Sequence, residues 1–370
     1  MRVLLQIFRF VVGLLFIFSG LIKLNDPYGF SYKLTEYFEV FAADFGSFFH
    51  FFTPIALELA FIICVSEIVL GVAVLLFYRM VPVTWLLLLM IVFFTFLTFY
   101  SAYFDKVKEC GCFGDFIRLT PWQSFWKDII LFVLISFLFA RRHDLKDNFN
   151  NLKGDIFVSI SALIVMYAGF HSIAHLPFID WLPYAVGKSI PQQMKPEEEP
   201  MFVYILEKDG QRVEMNNYPT DPSYKYISYR VLNPEKSQPK IMDYQIWNDE
   251  GDYTDSSLTG KVLLIILKNT DKALNDGKSR KNAEILAHEL PAIEQTNIRP
   301  MIISSSSPES IENFRHETQL AAPYYYMDDT QIKTMIRANF GLLLLENGVI
   351  KGKWHQNDLP DTDQLTSLLN

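Results

Sequence analysis

The chain has 370 residues, half of them apolar and 15% aromatic, with a formal net charge of −8. That length allows two domains. The first 188 residues hold 14 Lys and Arg against 14 Asp and Glu, and the rest hold 19 against 27. An acidic tail argues against nucleic acid or any other extended phosphate surface as a partner.

Five stretches are apolar enough to cross a hydrocarbon layer of about 30 Å: 3–22, 54–78, 81–104, 121–140 and 156–176. As buried helices of a soluble protein they would leave too little polar surface to cover them, so the sequence predicts a multi-pass membrane bundle. The first stretch carries Arg2 and Arg9 and continues as LNDPYGF with no small-x-small site. It therefore reads as an uncleaved anchor rather than a signal peptide.

Orientation follows from Lys and Arg in short loops. Arg2, Arg79, and the group Arg141, Arg142, Lys146 and Lys153 fall on one side under alternating crossings. That side is the cytoplasm of a bacterial inner membrane. The loop 25–53, the loop 105–120 and everything after residue 177 then face outward. Lys106, Lys108 and Arg118 run against this assignment, offset in part by Asp105, Glu109 and Asp115.

The outward loop 105–120 contains KECGCFGDF, with Cys110 and Cys112 separated by one glycine. Outside the cytoplasm disulfides persist. A ring closed by Cys-x-Cys is too small for relaxed disulfide geometry, which favours exchange over stapling. A passive loop disulfide, two ligands of a soft metal, or no role at all remain open, and no metal site is assigned. The third cysteine, Cys64, lies inside the second apolar stretch and reads as an apolar filler.

Ionisable groups at membrane depth are costly and face a bundle interior or a cavity. Here they are Lys23, Glu58, Glu67, Lys127 and Asp128. Glu58 and Glu67 are nine residues apart, which places them on opposite faces of one helix. Pairing of Glu67 with a Lys, Tyr or hydroxyl of a neighbouring helix competes with a proton-relay or quinone-head site. His171 and His175 share a helical face and read as interfacial packing.

RFVVGLLFIFSGLIKLNDPYGF, SEIVLGVAVLL and CGCFGDFIRLTPWQSFWKDIILFVL resemble the DoxX-like superfamily, and within it the MauE family of methylamine utilisation. The pattern F-x-x-S-G-x-x-K-x-x-x-P together with C-G-C-F-G-D carries the likeness, over residues 1–145. The resemblance implies a four-helix membrane bundle that acts with a thioredoxin-like partner in forming disulfides of the methylamine dehydrogenase small subunit. On that basis Cys110 and Cys112 would be the redox pair. The cytoplasmic loop and fifth span (146–177) and the tail go beyond the family pattern, and resemble bacterial DoxX/MauE proteins that carry their own thioredoxin-like tail.

Residues 178–239 read as a linker and a β-hairpin region, the hairpin being MFVYILEKDGQRVEM (201–215) around a Lys-Asp-Gly turn. From 240 onward, KVLLIILK suits a buried parallel strand, SRKNAEILAHELPAIEQ a helix capped by Ser279, and LLLLENGVIKGKW a hairpin turning at Asn347-Gly348. Strands alternating with helices and closing in a hairpin predict an α/β, thioredoxin-like domain over 240–370. Where a thioredoxin has C-x-x-C the chain reads NTDKALNDGKSRKN, and no cysteine follows Cys112. The tail cannot exchange disulfides by itself.

Three functions compete. One is a membrane component of envelope protein maturation, with the Cys-Gly-Cys loop as redox pair, the silent tail docking a client, and a membrane quinone as the class of electron acceptor. The second is a non-enzymatic scaffold for an envelope partner. The third is a small-molecule or quinone transporter using Lys23, Glu58 and Glu67. The first is favoured, in part through the resemblance to the MauE family.

Overall fold

The computed structural model describes residues 2–107, 111, 114, 116–117, 119–144 and 151–369. It divides into two compact units, Met1–Trp181 and Leu182–Asn370.

The first unit is helical: α1 (Arg2–Asn25), α2 (Pro27–Phe45), α3 (Ala56–Leu76), α4 (Met80–Phe104), α5 (Pro121–Ala140) and α6 (Asn151–Ala174). Among the described residues, five helical stretches are long and apolar enough to cross a membrane: Val3–Asn25, Ser47–Leu76, Met80–Phe104, Pro121–Ala140 and Leu152–Ala174. Protein covers only 17–44% of each apolar window. Side chains such as Leu86, Leu89, Val92 and Phe93 point away from the rest of the unit, and only lipid suits that surface. The protein is a multi-pass membrane protein.

The stretch 25–53, read above as a loop, instead contains α2 and a tight 3₁₀ segment, Ser47–Ile55. Asp26 caps α2 by accepting from Gly29 N–H at 2.9 Å, and Pro27 fills the first turn where no amide donor is needed. Phe30, Leu34, Tyr37 and Phe41 recur at helical spacing and are buried, whereas Glu39 and Asp44 on other faces are not. Charges along its length keep this helix off the set of spans.

Helices α1 and α3 meet backbone to backbone. A Cβ added to Gly71 would come 2.8 Å from Gly13 O and 2.8 Å from Ile17 Cγ1. One added to Gly20 would come 2.6 Å from Ile68 Cγ1 and 3.2 Å from Glu67 Cβ. Small residues at such a seam are how helices approach closely where burial from water supplies no drive.

The second unit is α/β. A three-stranded antiparallel sheet, ordered β2-β1-β3, is built from β1 (Phe202–Lys208), β2 (Gln211–Met215) and β3 (Lys225–Val231). Its β1–β2 turn runs through Asp209 and Gly210, both at positive φ. Strand β3 lies in a stretch whose Tyr, Ser and Lys gave no alternation to read.

The larger sheet uses β4 (Trp247–Asn248), β5 (Gly251–Asp252), β6 (Lys261–Leu267), β7 (Ile298–Ser304), β8 (Tyr324–Tyr326), β9 (Phe340–Glu346) and β10 (Val349–His355), in the order β10-β9-β6-β7-β8-β4-β5. Strands β6, β7 and β8 are parallel; β9 is antiparallel to β6 and to β10. Its helices longer than one turn are α7 (Thr270–Asn275), α8 (Gly277–Gln295), α9 (Pro308–Thr318), α10 (Asp329–Met335) and α11 (Thr362–Ser367). All of β6 except Lys261 is buried, as a strand covered on both faces must be. Leu263, Ile265 and Leu267 pack with Ala283, Leu286 and Leu290 of α8 and Phe314 of α9. Helix α8 is capped by Asp276 rather than Ser279: the carboxylate accepts from the Ser279 N–H at 3.2 Å and also from its hydroxyl. A carboxylate is the better acceptor, so the serine moves to the donor's place. The Asn347-Gly348 turn joins β9 to β10 with both residues at positive φ. Outside β10, Gly187 N–H and Ile190 N–H donate to Ile350 O at 2.8 Å and Gly348 O at 2.9 Å, so this edge is occupied by 187–190.

The glycine seam predicts a contrast. Gly71→Ala costs about 1–3 kcal/mol because its methyl has no room, whereas Gly277→Ala, in open space at a helix start, is neutral or stabilising. Thermal unfolding of the two variants in detergent, followed by circular dichroism, checks it.

Candidate intramembrane charge site

The seam sets the register in which Lys23, near the end of α1, meets Glu67 on α3. Lys23 Nζ donates to Glu67 Oε1 at 2.7 Å, with both side chains almost wholly buried. The same ammonium lies 4.4 Å from the ring centre of Phe94 and 5.0 Å from that of Phe30, which adds aromatic faces to its counter-charge. Glu67 Oε2 is buried with no hydrogen-bond partner among the described residues.

Helix α5 brings the second pair. Thr120 and Gln123 form a capping box, and Pro121 opens the helix, so Lys127 and Asp128 fall in its second turn. Lys127 Nζ lies 2.7 Å from Asp128 Oδ1, and the Thr98 hydroxyl of α4 donates to Asp128 Oδ2 at 3.0 Å. Asp128 is 1% exposed.

Lys23, Glu67, Lys127 and Asp128 line one cavity together with Ser19, Phe16 and Phe94. Its volume is about 20 Å³, measured as the space open to the centre of a water-sized sphere. That is room for about one water, in polar surroundings that a water requires. The two ammoniums and two carboxylates sum to zero charge, which is how a bundle tolerates ions at membrane depth. Glu58 is not part of this group: it sits in the first turn of α3 and is exposed.

Cys110 and Cys112 lie outside the described residues. Gly111 between them is described, at φ +68°, and a Cβ added there would come 3.1 Å from Lys33 Cγ and 3.8 Å from Phe30 Cδ2. Phe30 is the ring that also lies over Lys23. Gly114 N–H donates to Gly111 O at 3.1 Å, and a Cβ on Gly114 would lie 3.6 Å from Ile22 Cγ2. The loop's glycines thus rest against α1 and α2 beside the charge site.

Val107 is fully buried, and its carbonyl accepts from the Ser101 hydroxyl. Asp44, at the end of α2, accepts hydrogen bonds from Lys106 and Tyr100, and these hold its carboxyl below the usual carboxylate range, Lys106 contributing most. Sequence reasoning missed this anchor, as it missed Thr98, because the partners are 56 and 62 residues apart. Cys64 is a free, fully buried thiol on α3. His171 and His175 stack at 4.5 Å, with Phe178 stacked on His171 at 4.6 Å.

Residues 1–141 match the family model described as Methylamine utilisation protein MauE. The first 141 residues are MauE-like. That span includes α1 to α5, the Cys-Gly-Cys loop and all four groups of the charge site. Protein TlpB of Flavobacterium psychrophilum is 30% identical over 166 residues, which is 43% of this chain and 43% of that protein. The match therefore spans less than half the length of this curated relative. The MauE-like part and the α/β unit together make a mixed membrane and soluble architecture.

Breaking one member of a buried ion pair leaves an uncompensated charge and costs about 3–5 kcal/mol. Lys23→Met is expected to lose stability on that scale, and Lys23→Met with Glu67→Met to regain most of it. Equilibrium unfolding in mixed micelles, arranged as a double-mutant cycle, measures the coupling.

Proposed function

We propose that the protein is a membrane-anchored thiol–disulfide component of envelope protein maturation, with Cys110 and Cys112 as its exchanging pair. One observation carries the reading. The MauE match runs through the loop that holds both cysteines, and the glycine between them sits against Phe30 at the rim of the buried charge site. In this reading the pair works at the edge of the lipid, where it meets a client from water and a lipid-soluble acceptor.

In the exchange, a client thiolate attacks one sulfur of the Cys110–Cys112 disulfide and forms a mixed disulfide. The client's second thiolate displaces it, so the client leaves oxidised and the pair is left as two thiols. Restoring the disulfide removes two electrons and two protons, and a membrane quinone is the acceptor class that takes both. The N-terminus is cytoplasmic in this proposal; the cysteine loop and the second unit are extracytoplasmic, in the inner membrane of a bacterium.

The second unit serves in this reading as a thioredoxin-like docking module over 240–370, tethered through 178–239. Its order β10-β9-β6-β7, with a parallel central pair and an antiparallel closing hairpin, supports that assignment. It brings no thiol, because the chain has no cysteine after Cys112.

Thiol trapping tests the proposal. In intact cells, Cys110 and Cys112 should resist alkylation until reductant is added, while buried Cys64 reacts only after denaturation. In Cys112→Ser the Cys110 thiolate can still attack the disulfide of an already oxidised client, releasing one client thiolate, and should be trapped in that reductant-sensitive mixed disulfide. A pair that alkylates freely without reductant in every growth condition sinks the redox reading, and intact client disulfides in Cys112→Ser favour the scaffold.

A further inference from the structure

We propose that the cavity between the two intramembrane ion pairs is a proton-relay site, in which one bound water links Glu67 Oε2 to the Lys127–Asp128 pair. The site is independent of Cys110 and Cys112 and is tested apart from their exchange.

Three of the four carboxylate oxygens here are engaged. Glu67 Oε1 accepts from Lys23 at 2.7 Å, Asp128 Oδ1 lies 2.7 Å from Lys127 Nζ, and Asp128 Oδ2 accepts from Thr98 at 3.0 Å. The fourth, Glu67 Oε2, is buried without a hydrogen-bond partner among the described residues, on a side chain that is 4% exposed. A carboxylate oxygen withdrawn from water and left without a donor carries its full desolvation cost. Glu67 lines the cavity, and so do Lys127, Asp128 and Ser19.

The cavity restricts what can supply that donor. Its volume of about 20 Å³ admits one water. Two ammoniums in the wall oppose a metal cation, and two carboxylates oppose an anion. A neutral molecule that both donates and accepts suits all four groups. Leu15, Phe16, Ile91 and Leu131 supply apolar wall, which separates such a water from bulk solvent.

The two pairs differ in access. The Lys127 side chain is 23% exposed, against 1% for both Lys23 and Asp128. Lys127 lies six residues past Pro121, the first residue of α5, or about 9 Å along the helix. An ammonium on a four-carbon stem spans much of that distance back to the interface. Protons therefore enter at Lys127. It gives an N–H proton to the water as the water gives one of its own to Glu67 Oε2. One N–H bond breaks, one O–H bond forms on the carboxyl, and the water is left unchanged. The aqueous phase then restores the ammonium, so a proton has passed from a group at the rim to a buried one. Facing ionisable groups inside a bundle are where such relays are built.

Solid-state NMR of the full-length protein in lipid bilayers, labelled with ¹³C-glutamate, reads the site by magnetisation transfer from water protons to carboxyl carbons. Glu67→Gln assigns the Glu67 signal by removing it. That signal should build up as fast as the signal of exposed Glu58, although Glu67 is buried. Ser19→Val fills the cavity while keeping all four charges, and should slow the build-up several-fold. Lys127→Arg keeps the positive charge, but a guanidinium does not release its protons, and the same slowing is expected. Build-up in the unaltered protein as slow as that of buried backbone carbonyls overturns the site, whether or not a variant folds. Unaltered rates in folded Ser19→Val overturn the bound water, and unaltered rates in folded Lys127→Arg overturn the relay.

Discussion

The bundle depends on the closeness of α1 and α3. Ions cannot be left alone at membrane depth, and their pairing has to be set by backbone, because lipid gives neighbouring helices no hydrophobic reason to approach. Gly13, Gly20 and Gly71 remove the side chains that would hold the two helices apart. Once the backbones touch, Lys23 and Glu67 are neighbours at 2.7 Å, and the charge that would have been prohibitive becomes half of a pair. Helix α5 contributes a second pair to the same cavity. The interior is therefore polar locally and neutral in sum.

The second unit distributes its polar groups differently. Its parallel strands are buried along their lengths, with β6 burying six of seven residues, so side-chain chemistry is pushed to the strand ends. At the carboxyl end of β6 the chain places Lys268, Thr270 and the Ser304–Ser307 run rather than thiols. All three cysteines of the chain fall in the MauE-like part.

What the sequence reveals follows the range of the interactions. Spans are written in contiguous residues, so all five are legible, and so are the hairpin turns at Asp209-Gly210 and Asn347-Gly348. Strand β6 is legible because burial on both faces leaves an unbroken apolar run. Helix α2 is harder: its buried residues are interleaved with Lys and Glu, and an Asp-Pro start signals a turn as readily as a cap. Lys23 and Glu67 are each conspicuous as charges within apolar stretches, yet their partnership spans 44 residues and rests on glycines whose meaning depends on what lies opposite.

Phe30 ties the legible part to the hidden part. It is an ordinary core aromatic on α2, yet its ring lies near both the Lys23 ammonium and the glycine of the Cys-Gly-Cys loop. A bulky residue at position 111 would press on Lys33 and Phe30, in a left-handed conformation that non-glycine residues enter with strain. Displacing Phe30 would in turn remove an aromatic face from Lys23, one of the contacts that make its burial tolerable. The loop's glycine and the buried pair are thus joined mechanically through one ring. Glycine at 111 is therefore required by the bundle as much as by the turn.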